Sequence, residues 1–135
     1  MKYIHVGINV TDLETSIHFY EKVFGVKPVK TKKDYAKFLL EEQRLNFTLN
    51  VKDTVQGNQV NHFGFQVESA DEVIFHKERL ENEGLFTRAE MNTTCCYAVQ
   101  DKFWITDPDG NEWEFFYTKE DNDRKQEEES TCCLS

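Results

Sequence analysis

The chain has 135 residues, and its 16 basic and 25 acidic side chains give a formal net charge of −9 at pH 7. This length suits one domain, and the 11 phenylalanines, five tyrosines and two tryptophans can fill a folded core. The acidic balance disfavours nucleic acid and anionic membrane surfaces as partners, since both are bound by basic patches. No apolar run approaches the roughly 20 residues of a membrane span, and the N-terminus resembles a strand rather than a signal peptide. We therefore expect a cytoplasmic protein.

A short pattern, His-apolar-Gly-apolar-polar-Val, occurs twice, at residues 5–10 and 62–67. Both copies alternate apolar and polar side chains, which is typical of a strand. A capping box follows each copy, at Thr11–Glu14 and at Ser69–Glu72, and each predicts the start of a helix. The two predicted helices end near glycines 25 and 84. The shared order of strand, capping box, helix and glycine indicates an internal repeat.

Short strand patterns follow each predicted helix. In the first half they cover residues 27–32, 36–40 and 45–51, and in the second half 87–91, 96–99, 103–106 and 112–117. The turn sequence Asp-Pro-Asp-Gly-Asn at 107–111 precedes the last strand. The predicted fold is α+β, with two tandem strand–helix–three-strand modules at about 1–52 and 61–118. A linker at 53–60 joins them, and the charged tail at 119–135 is predicted to be disordered.

The repeated pattern places His5 and His62 at equivalent positions of two strands. If the two halves pack about a pseudo-twofold axis, these histidines converge. In the last strand, Glu112 and Glu114 lie on one face, and the opposite face carries apolar residues. A buried carboxylate is costly unless it is paired or binds a metal. Two histidines and one carboxylate form the facial triad typical of non-haem Fe(II) sites with open positions.

The symmetry of this candidate site is incomplete. The first-half strand that matches the last strand contains Asn46 and Asn50 but no acid. We therefore expect one metal site per chain, with three protein ligands. The two remaining histidines, His18 and His76, lie on the predicted helices and receive no role.

The four cysteines occur as two adjacent pairs, Cys95-Cys96 and Cys132-Cys133. A disulfide within such a pair is strained, and in a reducing cytosol we expect free thiols. Cys95 and Cys96 follow a polar segment that we predict to be an irregular loop, where both sulfurs can turn toward one soft ion such as trivalent arsenic. Packing as small apolar residues is the alternative. The tail pair formally matches a prenylation signal, but an accidental match or a second thiol site are the alternatives we favour.

About residues 1–118 resemble the vicinal oxygen chelate superfamily, which includes glyoxalase, bleomycin resistance protein and extradiol dioxygenase. The resemblance rests on the paired modules and on the turn at 107–111. It implies that two βαβββ modules form a cupped mixed sheet around a divalent metal. The implied ligands are His5, His62 and Glu114, with Glu114 favoured over Glu112 because the family's ligand lies four residues after the turn glycine. Such a site is expected within one chain, and the oligomeric state stays open.

Residues 92–114 resemble the ArsI-type carbon–arsenic lyases, and CadI-type cadmium-induced proteins share much of the same pattern. The resemblance implies a non-haem Fe(II) dioxygenase that uses O₂ to convert methyl or aryl As(III) compounds to arsenite, which gives arsenic resistance. Cys95 and Cys96 would bind the arsenic. One alternative is a non-enzymatic protein that binds cadmium or arsenic. Another is a glyoxalase-type isomerase, which is disfavoured because Asn46 and Asn50 supply no second carboxylate.

Overall fold

The computed structural model describes residues 2–57, 60–95 and 98–121. Its elements in chain order are β1 Ile4–Val10, α1 Leu13–Phe24, β2 Lys30–Lys32, β3 Tyr35–Leu40, β4 Leu45–Val51, β5 Phe63–Gln66, α2 Ala70–Asn82, β6 Arg88–Cys95, β7 Ala98–Thr106 and β8 Glu112–Asp121. The predicted order of strand, helix and three strands is confirmed in both halves. Over these residues, no helix is long and apolar enough to cross a membrane.

The chain divides into two compact units. The first contains β1–β4, α1 and the turn Asp107–Gly110, and the second contains β5–β8 and α2. Each unit has one four-stranded mixed sheet, with strand orders β1-β4-β3-β2 and β5-β8-β7-β6. In both, the first strand pairs parallel to the last strand and the other pairs are antiparallel. The α+β prediction is therefore confirmed, and the internal repeat has a structural counterpart.

The core of the first unit lies between α1 and one face of its sheet. Tyr20 of α1 is fully buried, and its ring centroid is 4.9 Å from that of Phe47 of β4. The helix ends at Gly25, whose φ of 72° lies in the left-handed region that glycine adopts without strain. The buried members of this core are Val10, Phe19, Tyr20, Val23, Ala36, Phe38, Leu40, Phe47 and Leu49. Alternation leaves the opposite face of the sheet polar.

Helix α1 begins differently from the prediction. Its N-cap is Asp12, whose Oδ1 accepts a hydrogen bond from the Thr15 amide at 3.0 Å. Thr11, the predicted cap, instead donates its hydroxyl to Oδ1 of Asp109 at 2.8 Å. The turn before β8 is thus attached to the start of α1, and this contact takes the hydroxyl that would otherwise cap the helix.

The core of the second unit lies between α2 and the face of the sheet that carries Phe103 and Phe115. These two rings stack with their centroids 5.0 Å apart. Helix α2 begins at Ser69 as predicted, and the Ser69 hydroxyl accepts a hydrogen bond from the Glu72 amide at 3.1 Å. His76 packs against Phe115, and burial lowers the pKa of its imidazole. The apolar face of the sheet is therefore committed to packing, and the opposite face is left for polar groups.

Three strands of the second unit are longer than predicted. β6 continues through Cys95, β7 crosses the charged residues Asp101 and Lys102 without a break, and β8 continues to Asp121. The two predicted strands at 96–99 and 103–106 are thus one strand, β7, and the register shifts once in each ladder, between Glu90 and Thr93 and between residues 99 and 100. The first residues of the predicted tail are therefore strand, and residues 122–135 lie outside the described residues.

Candidate metal and substrate site

The carboxylate of Glu114 is buried in the second unit, on the sheet face opposite α2. Alternation along β8 places Trp113 and Phe115 in the core and Glu114 on the other face, where it is 6% exposed. Glu112 lies two residues earlier on the same face. It forms an ion pair with Arg88 and accepts a hydrogen bond from Thr106. The Glu112 side chain is 29% exposed, whereas that of Glu114 is 8% exposed and has a histidine, His62, beside it, so Glu114 is the candidate ligand.

The glycine of the repeated pattern provides space for this carboxylate. Gly64 of β5 lies opposite Glu114 of the parallel strand β8. A Cβ atom at Gly64 would lie 2.8 Å from the Glu114 Cγ and 2.8 Å from its carbonyl oxygen. Any larger residue would therefore push the carboxylate out of its position.

His62 faces the same carboxylate. Its Nε2 lies 3.5 Å from Glu114 Oε1, and its Nδ1 lies 2.5 Å from Asn61 Oδ1. Because an amide oxygen only accepts, Nδ1–H donates to Asn61, and in the neutral imidazole the lone pair is then on Nε2, the nitrogen that faces Glu114. The edge of the Trp104 ring packs against the imidazole, with centroids 5.1 Å apart. This is the arrangement in which a metal-binding histidine has its second nitrogen fixed by a hydrogen bond.

Lys102 is the residue at this site that sequence reasoning missed. It is only 2% exposed, and its Nζ lies 3.4 Å from Glu114 Oε2 and 5.7 Å from the centroid of the Trp104 ring. Glu114 Oε2 is buried and accepts no hydrogen bond from the described residues. The two carboxylate oxygens therefore have different surroundings. The sequence gives little signal for it, since Lys102 follows Gln100 and Asp101 in a polar run that resembles a break between strands.

These donors fit a divalent cation. The imidazole Nε2 and the carboxylate Oε1 converge, and nitrogen and oxygen donors of this kind suit Fe, Zn, Ni and related ions. The carboxylate has unused acceptor capacity, because the buried Oε2 accepts no hydrogen bond from the described residues although Lys102 Nζ lies 3.4 Å away. Over residues 2–57, 60–95 and 98–121, no group of three or more His, Cys, Asp or Glu side chains is placed to hold a metal ion, so the structure brings together two of the three predicted ligands. The third predicted ligand, His5, lies exposed on β1 of the first unit.

The first unit has no equivalent of this carboxylate, as the missing acid predicted. Gly7 of β1 lies opposite Thr48 of β4, and a Cβ at Gly7 would lie 2.9 Å from the Thr48 hydroxyl oxygen. Thr48 thus occupies the position that Glu114 occupies in the second unit. Asn46 and Asn50 lie two residues to either side of Thr48 on the same strand face.

The cysteine segment departs from the predicted loop. Cys95 is the last residue of β6 and pairs with Ala98 of β7, while Cys96 and the tail pair Cys132-Cys133 lie outside the described residues. The pairing of β6 with β7 is interrupted by a bulge between Glu90 and Thr93 and then continues to Cys95.

Two charged residues hold that bulge. Asn92 has a φ of 54°, and its amide donates to Oδ1 of the buried Asp101 at 2.5 Å. Lys119 Nζ lies 3.3 Å from the same Asp101 oxygen and 3.1 Å from Asn92 Oδ1. Side chains of β7 and β8 thereby hold the edge strand that ends at Cys95.

Comparison with known proteins gives the family. The model of the Glyoxalase/Bleomycin resistance protein/Dioxygenase superfamily matches residues 2–115. The chain belongs to this superfamily. Superfamily members of known structure share the fold: a glyoxalase/bleomycin resistance protein/dioxygenase from Alicyclobacillus acidocaldarius has a TM-score of 0.70 at 17% identity, covering 87% of this chain and 92% of that one.

Three curated relatives in the superfamily are more similar in sequence. The chain is 71% identical to the "Probable trivalent organoarsenical cleaving enzyme" of Bacillus subtilis (strain 168), covering 100% of this chain and 92% of that protein. It is 63% identical to the "Trivalent organoarsenical cleaving enzyme" of Bacillus sp. (strain MD1), covering 100% and 84%. It is 36% identical to the "Cadmium-induced protein CadI" of Mycobacterium tuberculosis (strain ATCC 25618 / H37Rv), covering 98% and 93%. The resemblance stated from the sequence is confirmed.

Proposed function

We propose that this protein is a cytoplasmic Fe(II)- and O₂-dependent enzyme that cleaves the carbon–arsenic bond of trivalent methyl or aryl arsenicals. The observation that carries the proposal is the buried Glu114 carboxylate with His62 Nε2 3.5 Å away. The names of the relatives at 71% and 63% identity support arsenic as the substrate element. The release of arsenite in this way would give resistance to organoarsenicals.

His62, Glu114 and His5 are the proposed metal ligands. Asn61 holds the His62 ring so that Nε2 is available, and Gly64 gives Glu114 the space to reach the same point. Three single-atom ligands leave further positions open, which is typical of Fe(II) oxygenases. When bound there, Fe(II) supplies the activation of O₂ that these side chains cannot perform themselves.

Cys95 and Cys96 are the proposed substrate-binding residues. Each thiol replaces one hydroxyl of R–As(OH)₂, so two As–O bonds break, two As–S bonds form and two waters leave. Holding the arsenic in this way makes the reaction intramolecular, and in well-oriented systems this lowers the activation free energy by several kcal/mol. Asp101 supports this position through the Asn92 amide.

The overall reaction balances with O₂ as the only oxidant. Methylarsonous acid and O₂ contain the same atoms as arsenous acid and formaldehyde. The carbon–arsenic bond breaks, the methyl carbon is oxidised and O₂ is reduced, while arsenic remains trivalent. The chain's own residues bind the substrate, orient it and hold the metal.

The test is the release of arsenite from trivalent methyl- or phenylarsenical by purified protein with Fe(II) and air. We expect turnover with the wild type, none without O₂, and none with His62→Ala. His18→Ala is the matched control, because His18 is exposed on α1 and has no role in the site. Wild-type turnover by His62→Ala would disprove the site assignment. Unaltered arsenical binding by Cys95→Ser or Cys96→Ser would disprove the thiol capture.

A non-enzymatic function is the second candidate, and the 36% identity to a cadmium-induced protein favours it. Stoichiometric binding of Cd²⁺ or arsenical without arsenite release would support this alternative. A glyoxalase-type isomerase is disfavoured, because Thr48 takes the position where a second carboxylate would lie.

A further inference from the structure

We propose that Lys102 is a positioning residue that restricts Glu114 to a single metal-binding oxygen and so keeps a coordination position open at the metal. This inference rests on the proposed function, because it concerns the same metal site. It assigns a specific task to a buried cation on β7.

The burial of Lys102 requires an explanation. Its side chain is 3% exposed, and a buried ammonium is costly unless an anion lies beside it. Glu114 Oε2, 3.4 Å from Lys102 Nζ, is the anion that the structure provides. The Trp104 ring, with its centroid 5.7 Å away, adds a weaker cation–π contact.

The two oxygens of the Glu114 carboxylate face different residues. Oε1 faces His62 Nε2 at 3.5 Å, and Oε2 faces Lys102 Nζ at 3.4 Å. If both oxygens bound one metal ion, Oε2 would have to turn away from Lys102 and leave its charge buried without a partner. Gly64 packs closely along Glu114 and limits such a rotation, since the backbone of β5 passes directly beside Glu114 Cγ. Glu114 therefore contributes Oε1 alone.

The register of the two sheets links the lysine to the carboxylate. In the second unit Lys102 lies opposite Phe116, two residues after Glu114. The equivalent place in the first unit is Tyr35, which lies opposite Asn50, two residues after Thr48. At these two matched positions the second sheet has a lysine and a carboxylate, whereas the first has Tyr35 and Thr48; the lysine of the first sheet, Lys37, lies at the place that Trp104 takes in the second. This is expected if the lysine serves the carboxylate rather than the architecture of the sheet.

Removal of the Lys102 charge should change metal affinity and turnover in opposite directions. Lys102 repels a divalent cation and occupies one carboxylate oxygen, so its removal should strengthen metal binding. The same removal should let Glu114 bind through both oxygens and fill a position that O₂ or substrate needs, so turnover should fall. Damage to the structure would weaken metal binding and lower turnover together. The combination of tighter binding and lower turnover therefore identifies the positioning role.

The experiment is a Co²⁺ titration of the full chain without arsenical, followed by visible absorption, for wild type, Lys102→Met and Lys102→Arg. For Lys102→Met we expect about tenfold tighter Co²⁺ binding. We also expect a weaker d–d absorption from the higher coordination number, and at least tenfold slower arsenite release with Fe(II). Lys102→Arg keeps the charge, and its Co²⁺ affinity should remain within about threefold of the wild type.

Weaker or unchanged Co²⁺ binding by folded Lys102→Met, with the wild-type spectrum, would overturn the inference and leave the metal site intact. Absence of Co²⁺ binding by the wild type would instead overturn the proposed metal site itself. If Lys102→Met does not fold, Lys102→Gln provides the same comparison with a polar side chain, and the same two outcomes decide.

Discussion

In the first unit Gly7 of β1 lies opposite Thr48, whereas in the second unit Gly64 of β5 lies opposite Glu114. The strand orders are the same, and both glycines leave less than 3 Å between a hypothetical Cβ and the neighbouring side chain. The backbone therefore offers the same recess twice. Only one recess holds a carboxylate.

The two units also differ at the position of Lys102. Lys102 accompanies Glu114, and Tyr35 occupies the equivalent place near Thr48. A buried carboxylate without a nearby cation is costly, and Lys102 Nζ 3.4 Å from Glu114 Oε2 reduces this cost. The two units therefore share a strand order, and the pair formed by Lys102 and Glu114 distinguishes the second unit, which carries the candidate site.

The largest expected effect comes from placing a carboxylate in the first recess alone. Thr48 is 3% exposed, Tyr35 provides no positive charge, and Lys37 opposite Thr48 is only half-buried, so the first unit has no buried cation like Lys102 at this place. Thr48→Glu should therefore lower the free energy of unfolding by about 3 kcal/mol, measured by urea denaturation at pH 7. The double variant with Tyr35→Lys should recover part of the loss. Equal stability of the single and double variants would contradict the claim that a lysine at this place stabilises the buried carboxylate.

A smaller effect is expected from filling the space at the two glycines. Gly64→Ala meets both the Cγ and the backbone of Glu114, and should cost about 2 kcal/mol and weaken Co²⁺ binding. Gly7→Ala meets the Thr48 hydroxyl and the Asn50 amide, which can rotate away, and should cost about 1 kcal/mol or less without affecting Co²⁺. Urea denaturation and the Co²⁺ titration measure both. Equal losses of Co²⁺ affinity would contradict the assignment of the site to the second recess.

The smallest expected effect is a difference in how the N-caps of α1 and α2 contribute to stability as the pH changes. The Thr15 amide donates to Asp12 and lowers the pKa of its carboxyl below the ordinary 3.8, whereas the hydroxyl of Ser69 caps α2 without titrating. The folded pKa is depressed, so this stabilisation is complete above the unfolded pKa and is lost as pH falls through the folded one. The stability advantage of wild type over Asp12→Ser should therefore shrink between about pH 5 and pH 2. A constant difference would show that Asp12 is not the titrating cap.

Much of the fold could be predicted from local patterns. Alternating residues and a tight turn predicted β4 at residues 45–51, as observed, and the capping serine of α2 was also correct. The cap of α1 was placed at Thr11 because the sequence does not reveal the distant partner, Asp109, that binds this hydroxyl. Local hydrogen-bonding signals therefore fail where a tertiary contact competes for the same group.

The candidate site was predictable to the extent that it depends on strand alternation. Strand alternation places Glu112 and Glu114 on one face, the family resemblance favours Glu114, and the repeat singles out His62, which the structure places beside Glu114. The role of Lys102 depends on which residue faces which across β7 and β8, and the turn at 107–111 sets that register, which runs unshifted from Thr106 opposite Glu112 to Gln100 opposite Thr118. The apparent break in β7 at Asp101 and Lys102 concealed the buried partner of the carboxylate.

The most direct test of this account is arsenite release from trivalent methylarsenical by wild type, Glu114→Gln and Thr48→Val, each assayed with Fe(II) and air. The two substitutions change equivalent buried positions of the two sheets. We predict that Glu114→Gln abolishes arsenite release while Thr48→Val retains most of the wild-type rate. Wild-type turnover by Glu114→Gln, or its loss only in Thr48→Val, would contradict the claim that the second unit carries the catalytic carboxylate.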